Sequence, residues 1–133
     1  MKTKLLIEYH SNNVRRPILS EAIKKSDVVL NILKAAINGQ MHGRIFAEVE
    51  GSSAEISDFM NYLSANEVTT EIRQSLLDFN KANCKACGEC CKVCPTEALS
   101  LKEADAKLDF EPYKCVSCDR CISVCPHGAI NEV

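Results

Sequence analysis

Residues 84–95 read CKACGECCKVCP, and residues 115–126 read CVSCDRCISVCP. Both stretches have the pattern C-x-x-C-x-x-C-x-x-x-C-P, and the second follows the first at an offset of 31 residues. All nine cysteines lie between positions 84 and 125, and the first 83 residues contain none. A repeat of this kind is typical of two copies of one supersecondary unit that share a core. The sequence therefore predicts a cysteine-free domain over residues 1–75 and a cysteine-rich domain over residues 76–133.

The cysteine spacing is that of ligands to 4Fe-4S clusters, in which the fourth cysteine of each run serves the other cluster. Three thiolates spaced by two residues can wrap a loop around three corners of a cubane. The fourth is predicted to begin a short helix, with the proline in the first turn, where no N–H is needed. Two 4Fe-4S clusters are expected. The predicted ligands are Cys84, Cys87, Cys90 and Cys125 for the first cluster, and Cys115, Cys118, Cys121 and Cys94 for the second.

Structural zinc and disulfides are the competing interpretations of so many cysteines. Zinc sites usually show two C-x-x-C pairs with a long gap between them, which differs from two triplets each closed by Cys-Pro. Near the N-terminus, the apolar run Leu5–Ile7 is too short for a signal peptide, which needs about 7–15 apolar residues, or for a membrane span of about 20. We therefore expect a cytoplasmic protein without a membrane partner, in which thiols stay reduced and bind metal.

The composition favours a folded and slightly acidic protein. Hydrophobic residues make up 46% and charged residues 26% of the 133 residues, which is typical of globular chains. Sixteen basic and eighteen acidic residues give a net charge of −2, which argues against a nucleic-acid partner. An oxidised cluster with four thiolates carries a charge of about −2, so two clusters would make the loaded protein more acidic.

The cysteine-free domain shows periodicities that change from strand to helix and back. Alternating apolar residues predict strands over 4–10 and 44–50, and a β-branched run predicts a buried strand over 28–37. One helix is predicted with Pro17 in its first turn, and a second after Gly51-Ser52-Ser53, where a serine with Glu55 shortly after it can cap the helix. A last strand covers 68–72. The order βαββαβ predicts an α+β fold, a ferredoxin-like sandwich with two helices on one face of a four-stranded antiparallel sheet.

Residues 76–133 resemble the two-cluster bacterial ferredoxins, and the resemblance implies a small pseudo-symmetric domain. The chain departs from their usual pattern at Cys91, which follows Cys90 directly, whereas Ile122 stands at the equivalent position of the second run. Eight cysteines are assigned as ligands, and Cys91 is the ninth. It is interpreted either as a partly buried thiol beside a cluster, or as a sulfur-handling or redox-sensing thiol or an alternative ligand during assembly.

Residues 1–75 resemble the NIL domain, through Asn31-Ile32-Leu33, the strand beginning Gly43-Arg44-Ile45, and the strand over 68–72. That domain is best known from methionine-importing ATPases, and the resemblance implies a methionine-like amino acid as a ligand. The fusion of the two domains resembles a family of small proteins of anaerobic archaea and bacteria. One branch of the family consists of the iron–sulfur subunits of L-aspartate semialdehyde sulfurtransferases.

The family resemblance implies an electron-transfer subunit. With a larger catalytic partner, it would support homocysteine formation from L-aspartate semialdehyde and sulfide. The sequence offers no phosphate loop, nucleophile elbow or paired carboxylates, so the chain alone is expected to be non-catalytic. The alternatives are a general low-potential ferredoxin that serves another redox enzyme, and a regulatory protein that responds to redox state or methionine.

Overall fold

The computed structural model describes residues 1–102 and 107–133. The chain divides into two compact units, Met1–Gln74 and Ser75–Val133.

The N-terminal unit is a four-stranded sheet with two helices. Its elements are β1 (Lys2–Tyr9), α1 (Ile18–Ser26), β2 (Val29–Ile37), β3 (Gly43–Glu50), α2 (Ser53–Ala65) and β4 (Thr69–Ile72). The strands lie in the order β2-β3-β1-β4, and every neighbouring pair is antiparallel. The six elements follow the predicted order βαββαβ.

One hydrophobic core holds this sheet to its helices. Apolar side chains from β1 and β3 pack with the buried stripes of α1 and α2, and the cluster is completed by the residues that precede β2 and β4: Leu5, Ile7, Tyr9, Ile18, Ala22, Val28, Val49, Ile56, Phe59, Leu63 and Val68. The predicted serine cap at the start of α2 is present, as a capping box. The Glu55 N–H donates to Ser52 Oγ at 3.1 Å, and the Ser52 N–H donates to Glu55 Oε1 at 2.8 Å.

The prediction of a buried strand over 28–37 was wrong. β2 pairs only with β3 and forms an edge of the sheet, where Val29, Ile32 and Ile37 are 66%, 52% and 65% exposed. β-branched residues favour extended backbone whether or not both faces of the strand are covered, so the run identified a strand without fixing its place in the sheet. Leu6 and Phe46, in contrast to these exposed side chains of β2, are almost fully buried. They pair across β1 and β3 on the face opposite the core.

In its described residues, the C-terminal unit contains two two-stranded antiparallel sheets, two short α-helices and a 3-10 helix over Pro112–Lys114. β5 (Leu77–Phe79) pairs with β8 (Ile130–Glu132), and β6 (Leu99–Lys102) pairs with β7 (Lys107–Phe110). α3 (Glu89–Val93) and α4 (Arg120–Val124) lie against each other. Among the described residues of this unit, the central buried cluster consists of Cys90, Leu99, Cys121 and Ile130. Half of this core is therefore cysteine.

Candidate metal centre

The two cysteine runs share a backbone conformation. α3 and α4 are each five residues long and lie 31 positions apart, as the sequences do. Left-handed residues recur at the same offset, with Ala86 (φ 53°) matching Ser117 (φ 59°) and Gly88 (φ 81°) matching Asp119 (φ 65°). Left-handed residues outside glycine cost about 1–2 kcal/mol each. Their recurrence shows that both loops need the same sharp turn, which carries the first three cysteines around one central space.

The fourth cysteine of each run follows a helix and does not begin one, so this part of the sequence prediction was wrong. Cys94 comes directly after α3, and Cys125 directly after α4, with nearly identical dihedral angles (φ −72°, ψ 114° and φ −72°, ψ 111°). The physical reason is the next residue. Pro95 and Pro126 exclude the helical conformation from the residue before them, so both cysteines are extended and leave their own loop.

A small cavity lies inside the first loop. Its lining includes Cys84, Cys87 and Cys90 from the first run, together with Cys125 from the second. The rest of the lining is largely apolar and includes Leu108, Ala129 and Ile130. The structure thus brings together the four cysteines predicted for the first cluster.

A second small cavity lies inside the second loop. Its lining includes Cys115, Cys118 and Cys121 from the second run, with Cys94 from the first. Leu77, Leu99 and Phe110 contribute apolar walls. The four cysteines predicted for the second cluster therefore also meet, and the exchange of fourth cysteines is reciprocal.

The donor set of each cavity fits a polynuclear iron–sulfur group. All nine cysteines are free thiols. Within residues 1–102 and 107–133, no three His, Cys, Asp or Glu side chains are grouped closely enough to hold a single metal ion. A cubane distributes its four ligands over four irons, so its site is a hollow ringed by thiols, which is the arrangement in both cavities.

A backbone N–H group donates a hydrogen bond to the fourth cysteine of each run. The Ala98 N–H donates to Cys94 Sγ at 3.2 Å, and the Ala129 N–H donates to Cys125 Sγ at 3.4 Å. Although burial opposes it at Cys94, the backbone N–H groups of Thr96 and Ala98 lower the pKa of that thiol. The Ala129 N–H likewise lowers the pKa of Cys125. Such N–H···S bonds favour the thiolate and are among the interactions that set cluster potentials.

The third cysteine of each run lies in the core of the unit. Burial raises the pKa of Cys90 to about 12 and that of Cys121 to about 11. Both thiols are therefore protonated at neutral pH in the metal-free chain. Ligation there must displace a proton, which is the usual coupling between metal binding and thiol ionisation.

Cys91 lines neither cavity. It is half-buried, packs against the core of the C-terminal unit, and its N–H donates to the Gly88 carbonyl oxygen at 3.2 Å. Burial raises the pKa of the Cys91 thiol, which disfavours the nucleophilic thiolate form.

Sequence reasoning missed two parts of the site. One is the pair of backbone donors at Ala98 and Ala129, since a main-chain donor leaves no mark in residue identity. The other is Ser117, whose side chain lines the second cavity. Its Oγ is buried and has no hydrogen-bond partner in the described part of the chain. The signal available in the sequence was the position of Ser117, a small polar residue between two predicted ligand cysteines.

None of the helices in the described ranges is long and apolar enough to span a membrane.

Comparison with known families divides the chain as the structure does. Residues 3–72 match the NIL domain, and residues 83–129 match the 4Fe-4S dicluster domain.

Two relatives of known function align with residues of both units of the chain. The chain is 30% identical over 107 residues to the L-aspartate semialdehyde sulfurtransferase iron-sulfur subunit of Methanocaldococcus jannaschii, covering 77% of each chain. The subunit of the same name from Methanosarcina acetivorans is 30% identical over 103 residues, again with 77% of each chain covered.

A third relative matches about half of the chain. The methionine import ATP-binding protein MetN 3 of Pectobacterium atrosepticum is 32% identical over 71 residues, which cover 51% of this chain and 21% of that protein. The similarity over 77% of the chain and the two domain matches lead to one assignment. The chain belongs to the family of iron–sulfur proteins that join an NIL domain to a 4Fe-4S dicluster domain, the family of the L-aspartate semialdehyde sulfurtransferase iron-sulfur subunits.

Proposed function

We propose that the chain is an electron-transfer subunit with two 4Fe-4S clusters bound by exchanged cysteines. The observation that carries the proposal is the pair of four-cysteine cavities, each completed by the fourth cysteine of the other run. Cys84, Cys87, Cys90 and Cys125 would hold the first cluster, and Cys115, Cys118, Cys121 and Cys94 the second. In this proposal residues 76–133 form a pseudo-symmetric ferredoxin domain, and residues 1–75 form a ferredoxin-like NIL domain.

The exposure of the ligands supports a role in passing electrons to another protein. Cys87 and Cys118, the second cysteines of the two runs, are exposed, while Cys90 and Cys121 are buried. Each cluster would thus be insulated on one side and close to the surface on the other. A partner that docks over an exposed ligand would bring its acceptor within a short distance of a cluster.

The proposed reaction is reductive sulfur incorporation on a larger catalytic subunit, as the names of the two archaeal relatives suggest. An aldehyde and hydrogen sulfide condense with loss of water to a thioaldehyde, and two electrons with two protons reduce this to a thiol. Two clusters, each a one-electron centre, would supply that pair. The chain itself would bind no aldehyde and would act in the reducing environment of the cytoplasm, where its thiols remain free.

A cavity in the N-terminal unit favours a second role, the binding of a methionine-like amino acid. It is lined by apolar side chains of β1, β2 and β3 together with Arg16 and Ser20. A guanidinium beside an apolar wall suits a carboxylate with a thioether chain. Calorimetry with L-methionine tests this role. Binding that Arg16→Ala weakens would support it, and absence of heat with the folded chain would contradict it.

The decisive experiment for the main function is reconstitution of the chain with its catalytic partner from the same organism, without oxygen. The reduced complex should form homocysteine from L-aspartate semialdehyde and sulfide. Cys118→Ser should abolish the reaction, because it removes a ligand of the second cluster. Cys91→Ser is the matched control, since it changes a neighbouring thiol outside both cavities.

Three results, two from this reconstitution and one from metal analysis of the purified chain, would change the assignment. Full activity of the partner without this chain, when only a chemical reductant is supplied, would contradict the proposal and favour a general ferredoxin or a regulator. Activity lost in Cys91→Ser with both clusters intact would instead make Cys91 a sulfur carrier. Zinc in place of iron in the anoxically purified chain would refute the cluster assignment itself.

A further inference from the structure

The two cavities differ in side chains although their loops share one backbone. At the left-handed positions, the first loop has Ala86 and Gly88, and the second has Ser117 and Asp119. The second cavity is therefore lined by a hydroxyl and a carboxylate where the first has a methyl group and a hydrogen atom. The surroundings of the two clusters are chemically unequal.

Ser117 is the buried member of this pair. Only 5% of the residue is exposed, and its Oγ has no hydrogen-bond partner among the described residues. Leaving a buried hydroxyl unsatisfied costs about 1–3 kcal/mol. Ser117 lies between two ligand cysteines, Cys115 and Cys118, and lines the cavity that they enclose. An acceptor inside that cavity would remove the cost.

We propose that the Ser117 hydroxyl donates a hydrogen bond to a sulfur atom of the second cluster and raises the reduction potential of that cluster. The inference rests on the two-cluster assignment of the proposed function. Reduction adds one negative charge to the cluster, so a donor directed at its sulfur stabilises the reduced form more than the oxidised form. The first cluster has no such donor at this position, because Ala86 carries only a methyl group.

Asp119 acts in the opposite direction. Its carboxylate lines the same cavity, and a negative charge there disfavours the reduced cluster. The contribution of Ser117 must therefore be measured with Asp119 unchanged. This design isolates the hydroxyl from the net difference between the two clusters.

Two variants test the proposal in the full-length, cluster-loaded chain. Ser117→Ala removes the hydroxyl. Ala86→Ser adds one to the first loop, where φ of 53° is close to the 59° of Ser117, so the backbone already accommodates serine. The potentials of both clusters are measured by redox titration monitored by electron paramagnetic resonance, alongside iron and acid-labile sulfide content.

Ser117→Ala should make one potential more negative and leave the other in place. A roughly tenfold change in the reduction equilibrium, about 59 mV for one electron, is the expected size for a hydrogen bond to a charged acceptor. Ala86→Ser should make the other potential more positive. A purely structural role for Ser117 would change cluster content or thermal stability without this opposite pair of shifts.

Each failure has a distinct meaning. Unchanged potentials in Ser117→Ala with full iron content overturn this inference and leave the proposed function intact. If Ser117→Ala does not retain the second cluster, Ala86→Ser decides: a rise in the first potential supports the inference, and no rise overturns it. A wild-type chain without iron overturns the cluster assignment and this inference together.

Discussion

Removal of iron should unfold the C-terminal unit and leave the N-terminal unit folded. In the C-terminal unit, the large aliphatic side chains that are almost fully buried are Leu76, Leu99 and Ile130. At about 1.5–3 kcal/mol for each buried side chain, these contribute roughly 5–9 kcal/mol. These three side chains serve a segment of 59 residues, Ser75–Val133.

The N-terminal unit has a core of a different size. Ten large side chains of that core are almost fully buried: Leu5, Ile7, Tyr9, Ile18, Val28, Val49, Ile56, Phe59, Leu63 and Val68. At the same figure of about 1.5–3 kcal/mol for each side chain, they contribute roughly 15–30 kcal/mol to the segment Met1–Gln74. The C-terminal unit must therefore obtain most of its stability from metal ligation, as small metal-binding domains do.

Hydrogen exchange monitored by mass spectrometry measures both units in one experiment. After anoxic chelation of the iron, peptides from residues 75–133 should exchange at the rate of an unfolded chain. Peptides from residues 2–72 should retain the protection of the loaded protein. The control is the loaded chain carried through the same procedure without the chelator. Native-like protection of peptides from both units after complete loss of iron would refute this reasoning.

Three further outcomes are expected. Anoxically purified protein should contain about eight iron and eight sulfide ions per chain, the content of two four-iron cubanes, by colorimetric analysis; half that content would mean one cluster. Cys91→Ser should keep this content and the visible absorption, since Cys91 lines neither cavity, and a loss of four irons would make Cys91 a ligand. Ser52→Ala should lower the free energy of unfolding of the N-terminal unit by about 0.5–2 kcal/mol in urea titrations, because it removes the helix cap; an unchanged midpoint would show that the cap contributes nothing.

The sequence predicted the parts of the site that depend on spacing. Two cysteine triplets, each followed by Cys-Pro at one offset, predicted which cysteines meet, and both cavities contain those sets. The placement of the short helices was wrong, because Pro95 was assigned to the first turn of a helix when its effect on Cys94 was the stronger constraint. The predicted serine cap of α2 is confirmed and the structure identifies the serine as Ser52, because a capping box depends on residues only three positions apart.

Features that depend on tertiary context were not accessible from the sequence. The run Val28–Ile37 predicted a strand, but its position at the sheet edge depends on β3 being its only neighbour. The unpartnered hydroxyl of Ser117 depends on how the loop closes over it. Exposure and hydrogen-bond satisfaction are properties of the assembled fold, whereas ligand spacing and helix caps depend on residues that are close together in the sequence.

The exchange of the fourth cysteines is tested most directly in a chain that can hold only the second cluster. In a Cys84→Ser, Cys87→Ser, Cys90→Ser background, the account predicts about four irons per chain. Adding Cys94→Ser should then remove the cluster or convert it to a three-iron form, whereas adding Cys125→Ser should leave it unchanged. Iron analysis with electron paramagnetic resonance of the reduced protein distinguishes these results. A cluster that survives Cys94→Ser and is lost with Cys125→Ser would contradict the account.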